Sequence, residues 1–124
     1  MEIITTNQAP QAIGPYSQAV CTHGFLFVSG QLGIDPATGT FVAGGIKEQT
    51  IQCLTNARAI VAESGLGMSQ VVKATVLLAD MNDFSAMNEV YASFFQEPFP
   101  ARIAFQAARL PKDALVEIDL IAAK

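Results

Sequence analysis

With 124 residues, the chain is long enough for one hydrophobic core and too short for two, so a single domain over residues 1–124 is expected. Apolar residues make up 51% of it and charged residues only 15%, more apolar surface than a solvated monomer of this size hides, which points to association. Its net charge of −4, with Lys and Arg scattered at 47, 58, 73, 102, 109, 112 and 124, lacks the basic footprint that nucleic-acid partners require.

The N-terminal MEIITTNQAP lacks a basic region ahead of a long apolar run, and no stretch approaches the ~18 apolar residues of a membrane span. Cys21 and Cys53 are too few for a disulfide scaffold and fall in segments of apolar periodicity, as reduced packing cysteines do. A cytoplasmic protein with no membrane partner is the expectation. No internal repeat or low-complexity tract interrupts the alternation of elements.

In chain order, residues 16–21 and 25–29 are β-rich runs joined by Thr22-His23-Gly24, whose glycine suits a tight hairpin. Gly30 to Gly39 is dense in turn formers and reads as a loop. From Ile46 to Ser64, apolar or small residues recur every three to four positions, one face of a helix that Gly65 would end. Val71 to Ala79 alternates as a half-buried strand, with Val72, Ala74, Val76 and Leu78 on one side.

Asp80 then offers an N-cap and Asp83 a first-turn acid to a second helix with apolar positions Phe84, Met87, Val90, Tyr91 and Phe94, ended by Pro98 and Pro100. Two strand-like runs follow, 102–107 and 115–122, parted by a turn at 109–113. The order ββ-α-β-α-ββ predicts an α+β domain in which two helices cover one face of a mixed sheet and leave the other for a partner.

Several chemistries are poorly served. One histidine, His23, cannot build a His-rich metal site or a Ser-His-Asp triad and reads as a solvated turn residue. Gly30 with Gly33 makes no dinucleotide fingerprint, and Gly44-Gly45 can seat an anion or simply turn the chain. Arg102 is different. A guanidinium entering an apolar strand behind Pro100 needs an anionic partner, either a substrate or a carboxylate of the protein itself. On the last strand Val116, Ile118, Leu120 and Ala122 form an apolar face and set Glu117 beside Asp119 on the other, a polar solvent face or an acid–base pair.

Five segments are then recognisable: Ala12-Ile13-Gly14-Pro15-Tyr16-Ser17-Gln18, Ser29-Gly30-Gln31, Asp80-Met81-Asn82-Asp83-Phe84, Pro100-Ala101-Arg102, and Ala108 to Asp113 followed by Val116-Glu117-Ile118. Collinear over nearly the whole chain, they resemble the Rid (YjgF) family of reactive-intermediate deaminases. The resemblance implies a chorismate-mutase-like α+β fold of the bacillary type and a homotrimer with sites between subunits. It also implies hydrolysis of 2-iminobutanoate or 2-iminopropanoate, released by enzymes such as threonine dehydratase, to 2-keto acid and ammonia without cofactor or metal.

Carried over by position, Arg102 clamps the substrate carboxylate and Glu117 positions and activates water, which requires a basicity above that of a free carboxylate. Tyr16 forms an aromatic wall, and Ser29 with the backbone of Gly30 and of Ala104 contacts substrate or water. Tyr16 and Ser29 equally suit structural roles at a strand end. The chain departs from the family where Ser-Cys-Val-Glu often follows the arginine and Ile103-Ala104-Phe105-Gln106 stands here, so substrate range is open while a backbone contact at 104 survives. A ligand-binding regulatory or chaperone-like module without turnover is the second reading. RNA cleavage ranks last, because the acidic balance opposes phosphate binding.

Overall fold

The computed structural model describes residues 1–124. Its first strand, β1 (Glu2–Ile4), is too short for alternation to announce and pairs antiparallel with β2 (Ala19–Thr22). The expected hairpin follows, β2 to β3 (Phe25–Gln31), with Thr22 opposite Phe25. His23 and Gly24 take φ of 51° and 80°, the positive pair that a two-residue turn matched to strand twist demands.

β2 begins at Ala19 rather than at Tyr16, because the preceding arm is held by a side chain instead of a ladder. The buried amide of Gln18 accepts from the Thr6 N–H at 2.7 Å and donates to the carbonyls of Thr6 and Pro10 at 3.1 and 2.7 Å. β3 runs through Gly30 and Gln31, where the density of turn formers predicts a loop. A bulge accommodates them, Val28 facing Leu120 and Gln31 facing Ile118. The turn-rich segment beyond folds into a small hairpin, β4 (Ile34–Asp35) with β5 (Thr40–Phe41).

Helix α1 (Ile46–Glu63) ends as expected, with Gly65 at φ 88°. Strand β6 (Val71–Leu78) corrects one facing: its register against the last strand shifts between Val71 and Lys73, so Val71 turns inward and Val72 is exposed. Asp80 does cap, accepting from the Asn82 N–H at 2.9 Å, but what it caps is a single 3-10 turn, Met81–Asp83. Helix α2 (Phe84–Ser93) starts behind that turn and stops at the Phe94 cap, four residues before Pro98. Strands β7 (Ala101–Gln106) and β8 (Val116–Ala123) complete the chain.

The six-stranded sheet runs β1-β2-β3-β8-β6-β7. β7 lies parallel to β6 on the edge, and every other pairing is antiparallel, which makes the sheet mixed. Both helices pack on one face, where Val116, Ile118, Leu120 and Ala122 meet Leu54, Ile60 and Met87 in a single core. This is the α+β architecture expected. The opposite face carries no helix. There Ile3, Val20, Phe27 and Ile121 align across four strands, and Phe25, Phe27, Ile103 and Phe105 remain between 41% and 49% exposed.

Candidate active site

Glu117 lies on the open face of β8, directly across Leu77 of β6 from Phe105 of β7. Half-buried there, its carboxyl is pushed above the ordinary range, first by desolvation and then by the charge of Asp119. Both causes make it a better base near neutrality. The bulge of β3 brings the Gly30 backbone so close that a Cβ at position 30 would collide with the Glu117 carboxyl.

The hydroxyl of Ser29, beside Gly30, donates to the Ser17 carbonyl at 2.6 Å. That bond ties down the arm bearing Tyr16, whose ring is half-exposed behind the Gly14 bend at φ 127°. Ser17, Val20, Phe27 and Ser29 line a shallow groove at this end of the open face. Within the chain, then, the Ser29 hydroxyl is already engaged in holding structure.

Arg102 sits elsewhere. Register pairs it with Ala74, so its side chain leaves the edge strand on the helix-covered side, as does that of Ala104 opposite Val76. The exposed guanidinium lies against α2, 4.8 Å from the centre of the Tyr91 ring and 5.5 Å from that of Phe84. Its Nη1 donates to Asn88 Oδ1 at 2.6 Å. The two ion pairs of the structure are Lys47–Glu89 at 3.1 Å and Arg109–Asp113 at 2.9 Å, and neither involves Arg102. Of the alternatives open for this arginine, the partner present is a neutral amide and not a carboxylate.

Two groups of residues result. Gly30, Ser29 and Glu117 meet at the bulge, with Tyr16 on the adjoining arm, whereas Arg102 and Ala104 stand on the edge strand facing the other way. One chain does not bring Arg102 to Glu117. Asn88, Phe84 and Tyr91 escaped notice as site residues, although the signal was present: spaced i, i+4 and i+7, they share one helix face on which Asn88 is the polar exception.

Other candidates resolve simply. The N-terminal end of α1 is occupied by the chain's own anion, since Glu48 Oε1 accepts from the Gly45 N–H at 2.8 Å, a bond that lowers the carboxyl's pKa. His23 is exposed and bonds its neighbour Thr22 at 3.0 Å. Cys53 is buried 3.7 Å from the Val116 carbonyl, with its thiol pushed far up by burial, and Cys21 is also free. No helix is long and apolar enough to cross a membrane.

Residues 6–124 match the family described as Endoribonuclease L-PSP. A goat (Capra hircus) protein named 2-iminobutanoate/2-iminopropanoate deaminase is 57% identical over 97% of this chain and 88% of its own length. A RutC family protein of Pyrococcus horikoshii is 54% identical over 99% and 98% of the two chains. Among solved structures, Escherichia coli TdcF with bound serine superposes with a TM-score of 0.95 at 43% identity, covering 100% of this chain and 99% of that one.

Proposed function

This chain belongs to the endoribonuclease L-PSP family, the Rid (YjgF) proteins, and from that premise we propose that it hydrolyses small 2-imino acids, 2-iminobutanoate and 2-iminopropanoate, to 2-keto acids and ammonia. The observation that carries the reading is the Arg102 guanidinium. Charged, exposed and bonded only to an amide oxygen, it offers the rest of its fork of donors to a carboxylate.

Clamped by two parallel N–H···O bonds, the carboxylate of a 2-imino acid would present its C2 carbon in one orientation. Glu117 then takes a proton from water as the water oxygen bonds to C2 and the C=N electron pair moves to nitrogen. The resulting carbinolamine loses ammonia once the nitrogen is protonated, the C2 hydroxyl gives up its proton, and the carbonyl forms. A protonated imine is already an electrophile, so orientation and one proton shuttle suffice. Tyr16, Ser29 and the Gly30 and Ala104 backbones complete the walls in this reading.

Because Arg102 and Glu117 lie on opposite faces of one sheet, we assign the complete site to a boundary between copies, the arginine edge of one facing the bulge of the next. A closed ring with head-to-tail contacts, a homotrimer, satisfies that requirement and covers the apolar open face. A small acid suits the site better than RNA. Lys47 and Arg109 are already paired with carboxylates, and the net charge is −4. We place the activity in the cytosol, where the two free cysteines stay reduced.

The test is a threonine dehydratase reaction followed for keto-acid release. Wild-type protein should speed it, and Arg102→Ala should remove the gain. Equal rates with and without the wild-type protein would end the proposal.

A further inference from the structure

Arg102 leaves the edge strand alone, and a long side chain with four torsions holds one direction only if something fixes it. α2 supplies that support from one face. Phe84 and Tyr91 lie one turn to either side of Asn88, and the guanidinium carbon sits within cation–π range of both rings. Between them the Asn88 amide must turn its oxygen to the arginine, because a guanidinium has only donors, and the contact closes at 2.6 Å.

The strand and the helix are themselves locked together. Gln106 Oε1 at the far end of β7 accepts from the Met81 N–H at 2.9 Å, where the 3-10 turn enters α2. The acid that follows Asn88 in sequence, Glu89, is turned to Lys47 of α1 at 3.1 Å. The arginine is therefore oriented by a group that carries no charge, and no carboxylate of the chain neutralises it.

We infer that Asn88 is a positioning residue for Arg102: its neutral amide, between the Phe84 and Tyr91 rings, fixes the guanidinium in direction and leaves its positive charge for an anionic ligand. The inference rests on the reading of Arg102 as a carboxylate clamp and adds to it a reason for the residue at 88. A carboxylate there would hold the arginine equally well and fill the role of the ligand.

That distinction gives an ordering no purely structural role predicts. If Asn88 merely stabilises the fold, Asn88→Asp, similar in size and still an acceptor, is milder than Asn88→Ala. If it positions without neutralising, Asn88→Asp is the worse of the two. Calorimetric titration of the intact oligomer with 2-oxobutanoate should show binding weakened by roughly tenfold or more in Asn88→Asp, with a smaller loss in Asn88→Ala and no fall in the melting temperature of Asn88→Asp. In turnover, Asn88→Asp should chiefly raise KM, while Asn88→Ala, with a loosened arginine, should lower kcat as well.

Affinity of Asn88→Asp within twofold of wild type, or a greater loss in Asn88→Ala, overturns the inference. Should Asn88→Asp not fold, Asn88→Ser carries the test through a lower kcat at unchanged melting temperature, and unchanged kinetics overturn it. Arg102→Ala run alongside separates the two levels. If it binds 2-oxobutanoate as wild type does, the clamp itself is wrong; if it loses binding while Asn88→Asp keeps it, only the role of Asn88 falls.

Discussion

The carboxyl group of Glu117 occupies the space in which any side chain at position 30 would stand. Gly30 lies in the bulge of β3, where the extra residue swings the backbone toward β8, and its missing Cβ lets the acid settle there. Gly30→Ala should therefore displace Glu117 without unfolding the protein. Since a misplacement of about 1 Å at a reacting group lowers turnover by ~10²-fold, kcat should fall on that order, with a small change in melting temperature. Undiminished kcat would place the reacting water away from Glu117.

In the proposed mechanism Glu117 also sets the pH dependence. Its pKa is raised by burial and then by Asp119, so the acid limb of the kcat/KM profile should stand higher in pH than an ordinary carboxylate would give. Asp119→Asn removes the second cause and should move that limb down. A profile unmoved by Asp119→Asn would separate the limb from Glu117.

Stability carries the opposite sign. A carboxyl whose folded pKa lies above its unfolded value favours the folded state below the unfolded pKa, and that contribution is lost as pH rises through the folded pKa. Glu117→Gln should consequently melt no lower than wild type at neutral pH, while turnover drops by roughly 10²–10⁴-fold. Thermal melts at acid and neutral pH would check the sign.

Tyr91 carries the one buried side-chain polar atom without a partner in the chain, its hydroxyl. Burial raises its pKa, so it stays protonated and unpaired there. Tyr91→Phe keeps the ring beneath Arg102 and should leave activity intact, with stability unchanged or higher by up to about 1–3 kcal/mol. Tyr91→Ala removes the ring and should cost about 3–5 kcal/mol. A lower melting temperature in Tyr91→Phe would mean that the hydroxyl finds its partner in the assembly.

The separation of Arg102 from Glu117 predicts complementation. Arg102→Ala and Glu117→Gln proteins, each inactive alone, should regain about a quarter of wild-type activity when co-assembled at random in equal amounts, because one boundary in four then receives both native residues. Native mass spectrometry, which separates the two subunits by the mass lost in Arg102→Ala, would confirm the mixed oligomer. No recovery despite subunit exchange would show that both residues serve a site within one chain.

Local pattern was enough wherever a residue's neighbours in sequence are also its determinants. The hairpin at His23-Gly24, the span of α1 with its Gly65 stop, and the inward row of β8 all follow from turn chemistry and periodicity. The same reasoning marked Arg102 as a charge in need of an anion and set Glu117 opposite the apolar row. It failed where a distant partner decides. Gln18 replaces a ladder with side-chain bonds to the N-terminal arm, and the bulges of β3 and β6 exist only against β8, so strand limits and the facing of Val72 were not legible locally.

By itself, then, the amino-acid order determined the two helical segments, the α+β class, the apolar row of β8 and the family, because short-range periodicity and collinear motifs encode them. Tertiary structure alone decided that β7 runs parallel on the sheet edge, that Arg102 and Glu117 leave opposite faces, and that Asn88 receives the guanidinium. The reason is strand order. Consecutive strands β7 and β8 are parted by β6, and which face a side chain takes across such a gap depends on register with strands far away in sequence.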